Sequence, residues 1–178
     1  MQLQEKFLNF GLLCNDKMID NHPFRPMRRF RQELPEEACL ELLRSARRGV
    51  LSLAGDDGYP YGVPMNFYYA QGRIYFHCAR EGHKIDAVRR CDKASFCVLS
   101  EPVRNPGEWW NCFTSVICFG RIREVTDGDE RTALLRALGQ KYFPEGYDLA
   151  DDLRKNGPQA AVLAFSIEHL SGKRVREK

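Results

Sequence analysis

The chain has 178 residues, a formal net charge of +3 and 43% hydrophobic residues. That length fits one domain with a core of its own, and the composition excludes an intrinsically disordered chain. The small positive excess is too weak to indicate a nucleic-acid partner. No apolar run approaches the roughly 20 residues that span a bilayer, so we expect a soluble protein without a membrane partner.

The number and spacing of the cysteines indicate the kind of cellular compartment. Seven cysteines are spread along the chain without a Cys-x-x-Cys pair, and several lie inside apolar runs such as Phe96–Leu99 and Val116–Phe119. Free thiols in such runs usually behave as small core side chains. The pattern predicts neither a disulfide framework nor a metal site and favours a reducing compartment. Because the N-terminus also lacks the pattern of a secretion signal, we expect a cytoplasmic protein.

The N-terminal region divides into an arm and the start of a domain. Residues 1–33 contain prolines and a basic run, Arg28–Arg31, and predict an N-terminal arm ahead of one domain at residues 34–178. A helix is expected to open the domain, because Pro35 suits a first helical turn and Glu36 and Glu37 favour the positive end of its dipole. Gly49 is expected to end this helix.

A series of short strands is predicted next. The strands are Val50–Ala54, Tyr59–Tyr69, Arg73–Ala79, Ala94–Ser100 and Ser115–Val125, with turns at Asp56–Gly58 and Gln71–Gly72, a helix at His83–Cys91 and a loop at Glu101–Asn111. Prolines 60 and 64 are tolerated at sheet edges or bulges, so the Tyr59–Tyr69 strand should expose part of its backbone.

The C-terminal third adds two helices and one strand. One helix is expected to be capped by Thr126, a shorter one lies at Leu149–Lys155, and a last strand spans Ala160–Ile167 before a basic tail. Many short antiparallel strands with few helices predict a mainly β fold, a closed or nearly closed β-barrel with flanking helices. Regular βαβ alternation and a Gly-x-Gly-x-x-Gly motif are both absent, which argues against a dinucleotide-binding Rossmann domain.

The segment from Gly72 to Asp86 carries the clearest chemical signal. A predicted strand runs into a turn at Gly82, and the next helix opens with His83 and Lys84. Free backbone N–H groups at a helix N-terminus attract anions, and Lys84 adds a full positive charge. The segment is equally compatible with one bound phosphate group and with a solvated surface lysine.

The predicted edge strand Tyr59–Tyr69 is a second candidate binding surface. Gly62 and Pro64 weaken its pairing, which leaves backbone N–H and C=O groups free for the edge of a planar ligand. Taken alone, an irregular aromatic strand of this kind more often faces a partner subunit. Both interpretations stay open at this point.

Five segments together resemble a known family. They are Val63–Phe67, Ile74–Ala79, Gly82–Lys84, Ser115–Gly120 and Ser171–Lys173. In this order and spacing they resemble the pyridoxamine 5′-phosphate oxidase-like superfamily, and within it the branch of nitroimidazole-resistance-type proteins, over roughly residues 27–174. The resemblance implies a split β-barrel of the FMN-binding type that forms a homodimer with two FMN sites at its interface. The tail Gly172–Arg176 lacks the arginine-containing substrate motif of the true oxidases, so pyridoxal phosphate synthesis is not expected.

The resemblance also implies a set of cofactor-binding residues. These are Met65, Asn66, Phe67, His77, Cys78, His83, Lys84, Ser115, Val116 and Lys173. The first three would flank the isoalloxazine ring, and the histidine-lysine pair at 83–84 would hold the phosphate. His77 and Cys78 would lie near the ribityl and phosphate side of the flavin or its open face. Ser115, Val116 and Lys173 would approach the site.

His77 is the candidate catalytic residue. A histidine that ends an apolar strand is more often structural, but the resemblance favours a role in which its imidazole protonates a substrate. We therefore expect an FMN-dependent oxidoreductase that acts on a small-molecule substrate with NAD(P)H as a candidate electron donor. Two alternatives stay open: a haem-binding or haem-processing protein with His77 as axial ligand, and a non-catalytic flavin-binding protein.

Overall fold

The computed structural model describes residues 24–177, in which one antiparallel sheet is flanked by four helices. The helices are α1 (Glu36–Ser45), α2 (His83–Arg90), α3 (Gly128–Tyr142) and α4 (Leu149–Asn156). The strands are β1 (Arg48–Ala54), β2 (Pro60–Asn66), β3 (Tyr68–Ala70), β4 (Arg73–Ala79), β5 (Lys93–Leu99), β6 (Val103–Arg104), β7 (Asn111–Glu124) and β8 (Ala160–Arg176). The prediction of a mainly β fold with flanking helices is confirmed.

The order of the strands forces the sheet to curl. It runs β2-β1-β5-β7-β8-β4-β3, with β6 paired to β7. β2 and β3 therefore lie at opposite edges of the sheet, yet Phe67 is the only residue between them in the chain. Both edges must meet at this residue, so the sheet closes into an antiparallel half-barrel with an opening between β2 and β4.

The hydrophobic core fills the inside of this curl. Phe67, Phe76 and Phe96 are fully buried, and both Phe67 and Phe76 meet the Phe96 ring edge-on at centroid distances of 4.9 and 5.1 Å. Helix α1 covers one opening of the curl with buried Cys39 and Leu43. Aromatic contacts of this geometry add to the free energy of burial, so these rings stabilise the core of the half-barrel.

A smaller apolar cluster lies on the other face of the sheet. Tyr75 of β4 packs there with Val162 and Ala164 of β8 and with Leu135 of α3. Alternate residues of a strand point to opposite faces, so β4 contributes side chains to both clusters. Helix α3 thereby fixes the back of β4.

Helix α1 ends earlier than the sequence predicts. It stops at Ser45, and Gly49 lies inside β1, which begins at Arg48. The glycine is needed for packing and not as a helix stop, because a Cβ atom at position 49 would lie 2.4 Å from the ring of Phe96. The predicted strand Tyr59–Tyr69 is also wrong as a single element, since it divides into β2 and β3.

The last strand is longer than predicted. β8 pairs with β7 from Cys112–Arg176 to Glu124–Leu163, with a register shift at Phe119/Gly120, and so includes most of the predicted basic tail. Polar residues after Ile167 gave no hydrophobic run to detect, because this part of β8 is only partly buried.

Two further boundaries differ from the prediction. Asp127, and not Thr126, caps α3, since its carboxylate accepts a hydrogen bond of 2.7 Å from the Glu130 amide. The predicted loop at 101–111 contains the short strand β6, which adds to the edge of β7.

The predicted arm lies outside the described residues as far as position 23. Residues 24–33 contact the sheet. Glu33 forms an isolated antiparallel β-bridge with Lys173 through the backbone, and the ring of Phe24 stacks on His169 at a centroid distance of 4.6 Å. Cysteines 39, 78, 97, 112 and 118 have free thiols, whereas Cys91 is disulfide-bonded, which the cysteine spacing did not predict. Within residues 24–177, no helix combines the length and the apolar character needed to cross a membrane.

Candidate functional site

The opening between β2 and β4 contains a cavity of about 210 Å³. We call it the split cavity; its lining residues are Tyr61, Val63, Cys78, Ala79, Glu81, Gly82, His83, Lys84 and Ile85. Among residues 24–177, β2 pairs only with β1, and the Phe76–Ala79 half of β4 pairs only with β8. The two strand edges that border the cavity therefore keep unpaired backbone groups, which a ligand can use.

The N-terminus of α2 forms one wall of the split cavity. Gly82 precedes the helix with φ 112° and ψ 171°, a conformation that is essentially restricted to glycine. Its carbonyl accepts from the amides of Ile85 and Asp86 at 2.8 and 3.1 Å. The amides of His83 and Lys84 have no hydrogen-bond partner within residues 24–177. This helix end can therefore donate two backbone hydrogen bonds to an anion.

Lys84 supplies the charge at this wall. Its side chain is half-buried, lines the split cavity and forms no ion pair with any carboxylate in the described part of the chain. Together with the free amides, it makes the corner between β4 and α2 suited to one phosphate group. The structure thus brings together the elements of the anion site predicted from this segment.

The imidazole of His83 is held by other residues. It stacks on the ring of Tyr61 at 4.0 Å, and its Nε2 lies 3.2 Å from Oδ2 of Asp56. Arg90 binds the same carboxylate at 2.7 Å. His83 therefore contributes its backbone amide and a ring that shapes the cavity wall. The roles of Tyr61 and Asp56 could not be predicted from the sequence, because a stacking pair and an ion pair between separate elements leave no local pattern.

Cys78 and His77 lie on opposite faces of β4. Cys78 packs against the main core and lines the split cavity. His77 shares the face of Tyr75 and is not among the residues that line the cavity. Of these two predicted residues, Cys78 therefore lies at the split cavity, whereas β4 itself separates His77 from it.

The ionisation of the Cys78 and His77 side chains depends on burial and on the charge of Lys84. Burial raises the pKa of the Cys78 thiol, the positive charge of Lys84 opposes this, and Glu124 adds to the increase. Burial lowers the pKa of His77, and the charge of Lys84 lowers it further. Near neutral pH the thiol is therefore protonated and the imidazole is uncharged.

The predicted ring-flanking residues form the barrel wall. Met65 and Phe67 are buried in the core, and only Asn66 is partly exposed. The backbone of Phe67 is also occupied: its N–H donates to the Tyr142 hydroxyl at 2.8 Å, and that hydroxyl donates to its carbonyl at 2.7 Å. The residues of β2 that line the split cavity are instead Tyr61 and Val63.

The three remaining predicted residues lie on β7 and β8. Val116 is buried in the core, whereas Ser115 and Lys173 are paired across the two strands. The latter two line a separate cavity of about 280 Å³ next to residues 25–27. Within one chain, Ser115 and Lys173 are thus not part of the split cavity.

A larger cavity of about 730 Å³ lies beside the same edge strand. Its lining includes Arg47, Arg48, Val50, Pro64, Cys97 and Leu99. Pro64 follows Val63 on β2, and consecutive strand residues point to opposite faces. The large cavity and the split cavity therefore lie on the two sides of one edge strand.

The sheet face at the large cavity carries an apolar row. Pro64, Val50, Cys97 and Ile117 are successive cross-strand neighbours on β2, β1, β5 and β7. Val50 is 40% exposed and Ile117 39%, and the nearby Leu99 is 58% exposed. Exposed apolar side chains in one contiguous row are typical of an interaction surface.

The curled antiparallel sheet, open between two edge strands, defines a split-barrel protein. The sequence matches the family model described as Pyridoxamine 5′-phosphate oxidase over residues 35–174, and the chain belongs to this family. A comparison with functionally curated proteins finds no match.

Solved structures share the fold at low sequence identity. A protein of Bacteroides thetaiotaomicron, provisionally described as a 5-nitroimidazole antibiotic resistance protein, is 20% identical, with a TM-score of 0.70 over 81% of this chain and 87% of that chain. A FAD-binding protein of Mesorhizobium loti is 22% identical (TM-score 0.60; 81% and 97% covered). The FAD-binding protein of Mycobacterium smegmatis is 19% identical (TM-score 0.61; 82% and 99% covered). The prediction of a split β-barrel in this family is confirmed.

Proposed function

We propose that this protein is an FMN-binding oxidoreductase whose flavin phosphate binds in the split cavity. The observation that carries the proposal is the corner between β4 and α2, where Lys84 and the free amides of His83 and Lys84 border one cavity. Membership of the pyridoxamine 5′-phosphate oxidase family and two structural neighbours described as FAD-binding proteins support a flavin. FMN is proposed over FAD because the corner offers one lysine and one helix end, which suit a single phosphate.

The size of the split cavity limits what it can hold. Its volume of about 210 Å³ is below the roughly 300–1,000 Å³ of complete small-molecule sites. We infer that it takes the phosphate and the ribityl chain, while the ring system continues along β2 towards the large cavity. Val63 and the backbone of β2 would then contact the flavin, and the ring of Tyr61 would close the phosphate end.

A homodimer would complete the site. The apolar row of Pro64, Val50, Cys97 and Ile117 needs a cover, and a second copy of this chain offers the same row in return. Ser115 and Lys173 do not line the split cavity of their own chain, so they would serve the flavin of the partner. This accounts for the two separated groups among the predicted site residues.

The flavin, when bound, would supply electron and hydride transfer. The protein would hold its phosphate, exclude water with the core side of β2, and place a small-molecule substrate and the donor NAD(P)H at the exposed ring. His77 lies on the face of β4 opposite the split cavity, so we propose it as the catalytic residue only for a substrate that reaches that face, where its uncharged imidazole can accept or return a proton. The expected compartment is the cytoplasm.

The test measures FMN affinity in Lys84→Ala. A charge-assisted hydrogen bond contributes about 1.5–3 kcal/mol, which corresponds to an increase in Kd of about 10- to 100-fold. Lys155→Ala removes an exposed lysine of α4 that is paired with Asp151 and should leave the Kd unchanged. Fluorescence titration of FMN against apoprotein gives both values. Equal dissociation constants for wild type and Lys84→Ala would refute the phosphate role of this corner.

A further inference from the structure

Two stacked rings bridge the opening between β2 and β4 at the end far from Phe67. Tyr61 lies near the start of β2 and His83 opens α2; their rings stack at a centroid distance of 4.0 Å, and both residues line the split cavity. We call this pair the ring bridge. Building on the flavin site proposed above, we propose that the ring bridge, held in place by Asp56, makes the site accept FMN, which ends in one phosphate group, and reject the longer FAD.

The ring bridge closes one end of the split cavity, and the core closes the other. Alternate residues of a strand share a face, and along that face of β2 Met65 is buried in the core, Val63 lines the cavity and Tyr61 forms the bridge. On β4, Phe76 is likewise a core residue and Cys78 lines the cavity. A ligand chain that runs along the opening away from the core therefore ends at the ring bridge.

One carboxylate connects the ring bridge to both ends of α2. Oδ2 of Asp56 lies 3.2 Å from Nε2 of His83, and Oδ1 accepts a hydrogen bond of 2.7 Å from Nη1 of Arg90. Nη2 of the same arginine donates to the Ala54 carbonyl at 2.9 Å. Because His83 and Arg90 are the first and last residues of α2, Asp56 connects the turn between β1 and β2 to the whole length of this helix. The His83 ring cannot leave its stacked position without losing its contact with Asp56.

The charges on the two sides of the ring bridge have opposite signs. On the cavity side, Lys84 and the free amides at the start of α2 attract the phosphate of FMN. On the other side, Asp56 carries a negative charge and is not among the residues that line the cavity. Arg90 offers little to a second phosphate there, because both of its Nη atoms already bind oxygen atoms of the protein. The diphosphate of FAD would have to separate the stacked rings and approach a carboxylate, and FMN avoids both costs.

The strength of a ring pair sets the size of the expected selectivity. An aromatic pair corresponds to about two- to tenfold in an equilibrium constant, and repulsion by the Asp56 carboxylate adds to it. We expect the wild-type protein to bind FMN about tenfold or more tightly than FAD.

The experiment is isothermal titration calorimetry of the full chain, stripped of flavin, with FMN and with FAD. Tyr61→Leu keeps an apolar side chain and loses the stacking ring, whereas Asp56→Asn removes the charge and loosens the His83 ring. Each variant should bring the two dissociation constants to within about threefold of each other, mainly because FAD binds more tightly.

Two control variants change similar groups elsewhere. Tyr59→Leu removes a tyrosine ring that is 75% exposed and is not part of the cavity lining. Glu37→Gln removes a carboxylate that binds Arg44 at 2.6 Å on α1. Both controls should keep the wild-type preference for FMN. Asp56 lies on an exposed turn, so Asp56→Asn keeps the test in force if Tyr61→Leu does not fold.

Two results would overturn the proposal and leave the phosphate corner intact, provided that Lys84→Ala still weakens FMN binding. They are equal affinity of the wild-type protein for FMN and FAD, and an unchanged preference for FMN in both Tyr61→Leu and Asp56→Asn. If Lys84→Ala instead leaves the FMN Kd unchanged, the corner does not hold the phosphate. The proposed flavin site then fails, and the selective role of the ring bridge fails with it.

Discussion

The two ends of the opening between β2 and β4 differ in one physical respect. At Phe67, where the strands diverge, the side chain is fully buried and its backbone N–H and C=O are both satisfied by the Tyr142 hydroxyl. At the corner between β4 and α2, the amides of His83 and Lys84 have no partner in the described residues. The first end, which we call the hinge, is built for stability; the second leaves hydrogen-bonding capacity for a ligand.

This contrast indicates that the opening between β2 and β4 follows from the strand order and is not a packing defect. A sheet whose terminal strands are consecutive in sequence must close at the connecting residue and can only open away from it. Substitutions at the hinge should therefore reduce folding stability, whereas substitutions at the corner should act mainly on ligand affinity.

The largest effect is expected from Phe67→Ala at the hinge. Removing a fully buried phenylalanine typically lowers the free energy of unfolding by about 3–5 kcal/mol. Phe30→Ala is the matched control, because Phe30 is 67% exposed and should cost less than about 0.5 kcal/mol. Urea unfolding of both variants gives these values. Similar losses of unfolding free energy in the two variants would mean that the hinge does not stabilise the fold more than an exposed position does.

A smaller loss is expected from Tyr142→Phe. The hydroxyl lies within hydrogen-bond distance of three backbone groups, the N–H and C=O of Phe67 and the C=O of Arg47. Leaving such partly buried groups unsatisfied should lower the free energy of unfolding by about 2 kcal/mol. Tyr147→Phe removes a hydroxyl whose one hydrogen-bond partner in the described residues is the partly exposed Asp152, and it should be nearly neutral. The same urea experiment compares the two, and an equally neutral Tyr142→Phe would show that these hydrogen bonds do not stabilise the hinge.

Gly82→Ala tests the corner through its backbone. Position 82 has φ 112°, and open space surrounds an added Cβ atom, so strain is the only local cost. We expect a loss of about 1–3 kcal/mol in stability or a relaxed backbone, and in both cases weaker FMN binding because the amides of α2 move. Gly128→Ala also adds a Cβ into open space, but without a positive φ, and should keep FMN affinity. Unchanged FMN affinity in Gly82→Ala would remove the amides from the proposed site.

The last prediction concerns the pH dependence of stability at the hinge. Burial, aided by the charge of Arg47, lowers the pKa of Lys141 to about 8, while its ammonium group donates to the Ala46 carbonyl and lies over the Phe67 ring. The unfolded chain therefore binds more protons than the folded chain above about pH 8, so stability should rise from there towards the ordinary lysine pKa of 10.5. Lys141→Gln should lack this rise in urea unfolding at a series of pH values. A wild-type stability that instead falls with pH in parallel with the variant would contradict the assignment.

The same contrast explains what the sequence could predict. The turn and helix around Gly82–Lys84 were predictable because a strand, a glycine and a helix start are local patterns, and the family resemblance rests on such segments. The hinge was not predictable, because Tyr142 reaches Phe67 across 75 positions of the chain. Tyr59–Tyr69 read as one strand since its hydrophobic pattern continues through Phe67, and only the strand order reveals the break.

The predicted site residues divide along the same line. Lys84 and Cys78 lie at the split cavity, whereas Phe67 and Val116 are core residues whose apolar character explains their place in the pattern. Tyr61 and Asp56 were missed because their contacts with His83 join separate elements. Sequence pattern therefore located the corner but not the residues that shape it.

The most direct test of the account is the identity and amount of the small molecule held by the purified protein after incubation with FMN. Absorbance spectroscopy followed by mass spectrometry of the released ligand measures both. The account predicts a flavin spectrum, the mass of FMN and about one FMN per chain, because each chain has one corner that can seat a phosphate. A Soret band, or protein that stays colourless in excess FMN, would contradict it.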